Sequence, residues 1–376
     1  MIKRILADVL KNAAGQKKIV ALIGARQVGK TTLLTEFLKE GRNALSLNCD
    51  DFDDRFALED KSTTELRNLL NGHDIVFIDE AQRVKNIGLT LKKIADLKLG
   101  AKIFVTGSSS LELANTINEP ATGRILEYSL FPFSLAEVAS ATSFREEKRL
   151  LENRMIFGLY PDVVNAPSFA RQTLMNLTNN YLYKDILNFG GVKKPDMLYK
   201  LVRALAFQVG SEVNYNELGG LLGLDKETVE NYIGLLEKCC IVIRLNSFSR
   251  NMRNEIRKGK KIYFYDNGIR NAVINNFSPL EARNDVGALW ENLMVVERLK
   301  WSAYSESFAS FYFWRTQSQQ EIDLIEEKDG RLSAFEFKYN ANKKAALPES
   351  FKRHYADVPF TLVNKDNFQN FVGLAT

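Results

Sequence analysis

Gly24-Ala25-Arg26-Gln27-Val28-Gly29-Lys30-Thr31 is the stretch on which the reading of this chain turns. Two glycines, then lysine and threonine, fit a phosphate-binding loop at every fixed position. The apolar run Ile19-Val20-Ala21-Leu22-Ile23 comes before it and reads as a buried parallel strand. Thr32 to Leu38 comes after it and reads as a helix. Backbone N–H groups of such a loop wrap a phosphate, and the helix N-terminus adds its positive dipole end. On this reading Gly24, Ala25, Arg26, Gln27, Val28, Gly29, Lys30, Thr31 and Thr32 bind ATP. Lys30 reaches the β- and γ-phosphates, and Thr31 sets its hydroxyl on Mg²⁺.

A second nucleotide signature lies downstream. Asp74-Ile75-Val76-Phe77-Ile78-Asp79-Glu80 is an apolar strand ending in two carboxylates. Asp79 joins Thr31 around Mg²⁺, and Glu80 polarises the water that attacks the γ-phosphate. Lys102 to Thr106 forms another strand, followed by Gly107-Ser108-Ser109-Ser110. Thr106 and Ser108 are candidates to sense the γ-phosphate; an ordinary polar turn explains them equally well. Arg124 precedes the strand Leu126–Leu130 and is a candidate to neutralise transition-state charge, in cis or from a neighbouring subunit.

The chain has 376 residues, enough for two or three domains. No apolar stretch approaches the roughly 20 residues that span a bilayer. The start has no long apolar segment with a cleavage site, so no signal peptide is expected. Cys49, Cys239 and Cys240, with only His73 and His354, do not suit a disulfide framework or a cysteine-ligated zinc. A cytoplasmic protein is expected, with no membrane association. The net charge is +5, and residues 193–261 alone carry 13 basic and 8 acidic side chains, 13 − 8 = +5. Arg250 to Lys261 concentrates six basic residues, Arg253, Arg257 and Lys260 among them. Such a loop contacts nucleic-acid phosphates or is simply a solvated hairpin.

Strand-like and helix-like runs alternate up to about Phe133, as in an α/β domain with a parallel sheet. Ser134 to Val192 reads as helical, with a turn at Gly158-Leu159-Tyr160-Pro161. Residues 196–247 read as three helices and a strand, the pattern of a winged helix-turn-helix. A helix over Asp285–Trp301 then leads into strands Phe311–Arg315, Glu321–Glu326 and Leu332–Lys338.

Those last strands carry a further constellation. Residues two apart in a strand face one side, so Glu321 pairs with Asp323 and Glu336 with Lys338. Two carboxylates, Asp323 and Glu336, make a possible second Mg²⁺ site, and a lysine beside them can activate water. The spacing follows the D…E-x-K nuclease pattern, with Glu291 and Glu297 as further ligands from the preceding helix. Two amphipathic strands with charged outer faces are the competing explanation.

Together these residues resemble a large prokaryotic family of AAA-like P-loop ATPases fused to a C-terminal domain of unknown function. Its landmarks here are G-A-R-Q-V-G-K-T-T (24–32), F-I-D-E-A-Q (77–82), V-T-G-S-S-S (105–110), K-I-Y-F-Y-D (261–266), E-I-D-L (321–324) and F-E-F-K (335–338). The resemblance implies an α/β fold: a P-loop ATPase core (1–133), a helical lid (134–192), a winged-helix segment (193–262) and a restriction-endonuclease-like C-terminal domain (263–376). It also implies grouping of Asp323, Glu336 and Lys338. The expected function is ATP binding and hydrolysis that controls a nucleic-acid-binding, DNA-directed and conceivably DNA-cleaving module. The alternative is a nucleotide-gated switch whose nuclease-like domain binds a partner protein without cutting. A homo-oligomer is compatible with either.

Overall fold

The computed structural model describes residues 2–39, 41–107, 123–182, 192, 194–249, 259–355 and 357–374. They divide into two compact units, one built on Lys3–Pro132 and one on Phe133–Glu237 with Ile241–Thr376.

The first unit holds a parallel sheet. Its strands are β1 (Ile19–Ile23), β2 (Ala44–Asn48), β3 (Ile75–Asp79), β4 (Lys102–Gly107) and β5 (Ile125–Ser129). They lie in the order β2-β3-β4-β1-β5. Every residue of β1 and β3 is buried, which their unbroken apolar sequences require once helices cover both faces. Ile19, Ala21, Ile23, Val76, Ile78 and Val105 pack on one face against Leu66, Leu70, Leu91 and Ile94. On the other face Phe37 stacks on Phe104, ring centroids 5.3 Å apart. The parallel register brings the carboxyl ends of β1, β4 and β3 to one edge, Leu22 opposite Thr106 and Ile78 opposite Val105. Ligands of open α/β sheets bind at that edge.

The second unit opens with short helices. Leu135–Ala141 starts with a capping box between Ser134 and Glu137. Pro161 occupies the first turn of Pro161–Asn165, after Gly158 has turned the chain with φ 71°. These are the helices expected to form a lid. Leu135, Val138, Leu151 and Met155 instead share one apolar core with Trp290, Leu293, Phe335 and Phe337. The segment thus belongs physically with the C-terminal strands.

Helices Pro195–Phe207, Tyr215–Leu222 and Lys226–Lys238 follow, interleaved with β6 (Glu212–Val213), β7 (Val242–Ser247) and β8 (Lys260–Phe264). After helix Val286–Tyr304 come β9 (Ser310–Arg315), β10 (Glu321–Lys328), β11 (Arg331–Phe337) and β12 (Phe360–Val363). All seven strands form one sheet, β12-β11-β10-β9-β7-β8-β6. The join is the parallel pairing of β7 with β9, Asn246 opposite Tyr312. The boundary expected at 262/263 therefore falls inside β8, and the middle segment and C-terminal strands are continuous. Among the described residues no helix is long and apolar enough to cross a membrane.

Candidate functional site

At Gly24 the chain leaves β1 so close to its neighbour that a β-carbon would sit 2.2 Å from the Leu130 carbonyl oxygen. Only glycine fits there. Gly29 takes a left-handed φ of 94° just before helix Lys30–Leu38 begins, again a glycine's conformation. Lys30 is nine-tenths buried or more, and its Nζ donates to the carbonyls of Gly24 (2.8 Å) and Ala25 (2.9 Å). Burial lowers its pKa, and the negative charges of Glu80 and Asp79 oppose the shift. The ammonium lies inside the loop that the sequence assigned to phosphate. Val28 is fully buried beneath the loop, whereas Gln27, Thr31 and Thr32 are exposed.

Asp79 closes the site from β3. Its Oδ2 accepts the Thr31 hydroxyl at 2.9 Å, and its Oδ1 accepts the Thr106 hydroxyl. Thr106 thus reaches this centre from β4, completely buried. Next in the chain, Glu80 donates its N–H to Thr106 Oγ1 (3.0 Å) and Asp79 Oδ1 (3.2 Å). Its backbone is left-handed, φ 51°, and Gln82 Nε2 holds its carboxylate. The Glu80 backbone thus joins the Thr106–Asp79 pair, and its negative charge acts on Lys30. Thr31 and Asp79 supply a hydroxyl and a carboxylate, the hard oxygen donors that suit Mg²⁺. Ser108 lies outside the described residues.

Arg124 does not join this group. Its carbonyl accepts from Ile19 N at the start of β1, whereas the loop leaves from the other end. Five strand residues separate the two edges, roughly 16 Å. There its guanidinium is paired with Asp96 at 2.7 Å. A role in cis is excluded by that placement. Arg4, which the sequence reading missed, does belong. Nearly buried, it donates from Nη1 to the Val28 carbonyl (2.8 Å) and from Nη2 to that of Phe131 (2.6 Å). It ties the phosphate loop to the chain leaving β5. No local pattern marks such a residue; its partners lie 24 and 127 positions away.

The second unit groups charged side chains from four elements. Glu291 Oε1, on helix Val286–Tyr304, accepts from Lys261 Nζ (2.8 Å) and the Tyr263 hydroxyl (2.7 Å), both on β8. Lys261 also pairs with Glu321 and stands 4.0 Å from Asp323 Oδ1. Lys338 Nζ lies 2.6 Å from Glu336 and 3.9 Å from Asp323 Oδ2. The Asp323 and Glu336 oxygens are therefore at most 3.9 plus 2.6, or 6.5 Å, apart. A bulge on β10 between Ile322 and Ile325 makes this possible. It turns Ile322 and Ile325 into one apolar cluster and leaves Asp323 on the other side, accepting from Phe337 N at 2.8 Å. Burial, then the Glu291 charge, raises the Asp323 pKa well above the usual carboxylate value. Lys261 is also buried, which alone would lower its pKa; Glu291, Asp323 and Glu321 reverse the sign.

Two expectations change here. Glu297 is no ligand of this cluster: fully buried, it accepts from Leu135 N and Lys300 Nζ, both at 2.7 Å. Lys261 is no part of a solvated basic loop, being 1% exposed. Lys260 beside it pairs with Glu230 at 3.5 Å, and Arg244 pairs with Glu237. Arg253 and Arg257 lie outside the described residues. Among the described residues no three His, Cys, Asp or Glu side chains are placed to hold a metal ion. The arrangement of Asp323, Glu336 and Glu291 thus does not fit Mg²⁺ as it stands.

Comparison with known families bears on the first unit. Residues 16–139 match the model of an AAA domain. The match includes the phosphate loop, Asp79, Glu80 and Thr106 of that AAA domain, but not Arg4. Matches to two domains of unknown function follow, DUF8612 over residues 148–280 and DUF4143 over 286–371. The charged cluster of the second unit crosses both: Lys261 and Tyr263 fall in the first, Glu291, Asp323, Glu336 and Lys338 in the second. An uncharacterized protein of Mycobacterium tuberculosis is 27% identical over 343 residues, covering 89% of this chain and 74% of its own. One from Haemophilus influenzae is 23% identical over 350 residues, covering 86% and 84%. Another from Methanocaldococcus jannaschii is 23% identical over 380 residues, covering 92% and 81%.

Proposed function

We propose that the AAA domain hydrolyses ATP and that its cycle governs what the second unit binds. The observation carrying this reading is the 2.9 Å hydrogen bond from Thr31 to Asp79, with Glu80 next in the chain. It unites in space the groups that phosphoryl transfer to water needs. The loop N–H groups and Lys30 hold the phosphates. Thr31 and Asp79 would hold Mg²⁺, which would supply positive charge to the phosphates. Glu80 takes the proton of the attacking water. Thr106 fixes the Asp79 carboxylate from its far side. Arg124, at the opposite edge of the sheet, is left to act on a neighbouring copy.

The second unit's ligand is nucleic acid on the first reading, through the three helices and strands of residues 195–264 and the basic residues around them. A partner protein is the second reading. The internal pairing of Arg244, Lys260 and Lys261 with Glu237, Glu230 and Glu291 favours it, because those cations are already neutralised. ATP turnover measured with and without duplex DNA, single-stranded DNA and RNA separates the two. Stimulation that falls steeply with salt supports nucleic acid, with a log–log binding slope of about −0.9 per phosphate on duplex DNA. Turnover indifferent to every nucleic acid at low salt supports the partner protein. No turnover under any condition sinks the hydrolysis itself.

A further inference from the structure

The carboxylates of the second unit stand where a divalent cation would be expected from their sequence spacing, yet a lysine fills the centre. We infer that Lys261 is a built-in counter-cation: its ammonium takes the place of a metal ion among Glu291, Glu321 and Asp323, and the site is metal-free by construction.

Three observations carry this. First, Lys261 Nζ is within 4.0 Å of all three carboxylates, one from helix Val286–Tyr304 and two from β10. Second, its position is not adjustable. Lys261 lies inside β8, paired with Glu212 on one side and Leu245 on the other, and is 1% exposed. A surface lysine swings aside for an incoming ion; a buried one anchored in the middle strand of three does not. Third, cations already offset much of the charge. Against Glu291, Glu321, Asp323 and Glu336 stand Lys261, Lys338 and Arg315, whose Nε lies 3.5 Å from Glu321 and which also pairs with Glu212. A divalent ion brought into that group would gain little attraction and would meet two ammoniums at close range. Tyr263, donating to Glu291, uses another of the lone pairs a metal would need.

The converse follows. Four carboxylates without Lys261 would be left with an uncompensated buried charge, which proteins relieve by protonation or by taking up a cation. Oxygen donors on rigid strands favour Mn²⁺ or Mg²⁺. Removing the lysine should therefore uncover a metal site that the native chain suppresses.

Mn²⁺ binding to the full chain, free of nucleotide, tests this by electron paramagnetic resonance. Wild type and Asp323→Asn should bind Mn²⁺ alike, because no bound ion depends on Asp323. Lys261→Gln should gain one equivalent, and Lys261→Gln with Asp323→Asn should lose it again. Lys261→Arg should behave as wild type. A wild-type equivalent of Mn²⁺ that Asp323→Asn removes would overturn the inference, as would a folded Lys261→Gln that binds none. Should Lys261→Gln fail to fold in chelator, recovery of its circular dichroism with Mn²⁺ supports the inference. Should it stay unfolded with Mn²⁺ too, the comparison of wild type with Asp323→Asn still decides. ATP turnover of the same wild-type sample reports separately on the first unit, so failure of the hydrolysis reading is distinguishable.

Discussion

The Thr31 hydroxyl donates to the Asp79 carboxylate at 2.9 Å across 48 residues of sequence. That contact joins the phosphate loop to the acid strand. It also sets the geometry of the centre, because the second Asp79 oxygen is held by Thr106.

Lys30→Ala should weaken ATP binding about 100-fold or more, a loss of about 3 kcal/mol for a buried cation that meets phosphate. Thr31→Ala should keep nucleotide binding without Mg²⁺ and lose the gain that Mg²⁺ brings. Titration calorimetry with and without Mg²⁺ reads both, and unchanged affinity in Lys30→Ala would remove the loop from the mechanism.

Glu80→Gln should bind ATP normally and turn it over about 10²–10⁴-fold more slowly, the usual range for a lost general base. The amide keeps the size and loses the charge. Single-turnover rates at saturating ATP check it; a wild-type rate would acquit Glu80.

Arg4→Ala should destabilise the first unit by about 3 kcal/mol, since two carbonyls lose a charged donor in a nearly buried place. It should also loosen nucleotide binding, although Arg4 touches only loop backbone. Arg4→Lys restores one of the two bonds at best. Urea unfolding and ATP affinity measured together distinguish this from a purely local effect, which would leave affinity untouched.

Asp266 gives the second unit a pH dependence. Its carboxyl is fully buried and its pKa rises to about 6, burial outweighing the N–H donors of Leu159, Gly268 and Ile269. A folded pKa above the unfolded one means extra stability fully present below about pH 4 and lost as pH rises through about 6. Relative to Asp266→Asn, which does not titrate, wild type should lose about 3 kcal/mol between pH 4 and pH 7. A stability difference flat across that range would show that the three N–H donors keep the carboxylate ionised.

The phosphate loop and the acid strand were legible because their chemistry is local. Gly24, Gly29, Lys30 and Thr31 occupy one turn, and Asp79 and Glu80 end one strand. The five strands of the first sheet and β7, β9, β10 and β11 of the second were legible for the same reason, from runs such as Ile75–Asp79 and Glu321–Glu326, whereas β6, β8 and β12 were not. What the sequence concealed was long-range. Arg4 reads as an ordinary basic residue until Phe131 is folded beside it. Lys261 sits in a basic run and reads as a phosphate contact or part of a solvated hairpin; only pairing with Glu291, 30 residues on, reveals it as internal. The pairing of β7 with β9 likewise erased a boundary that a change in sequence texture had suggested. Arg124 was misplaced for a simpler reason: a residue before a strand sits at the edge away from the ligand, and its neighbour Ile19 shows which edge that is.

Glu80 holds a left-handed backbone, φ 51°, in a turn that would suit glycine or asparagine better. The strain costs about 1 kcal/mol. Any selection for heat resistance alone would therefore favour Glu80→Gly or Glu80→Asn. With Glu80 as the general base proposed above, that sturdier protein would lose the group that activates water. Durability and turnover would then pull in opposite directions at this one residue.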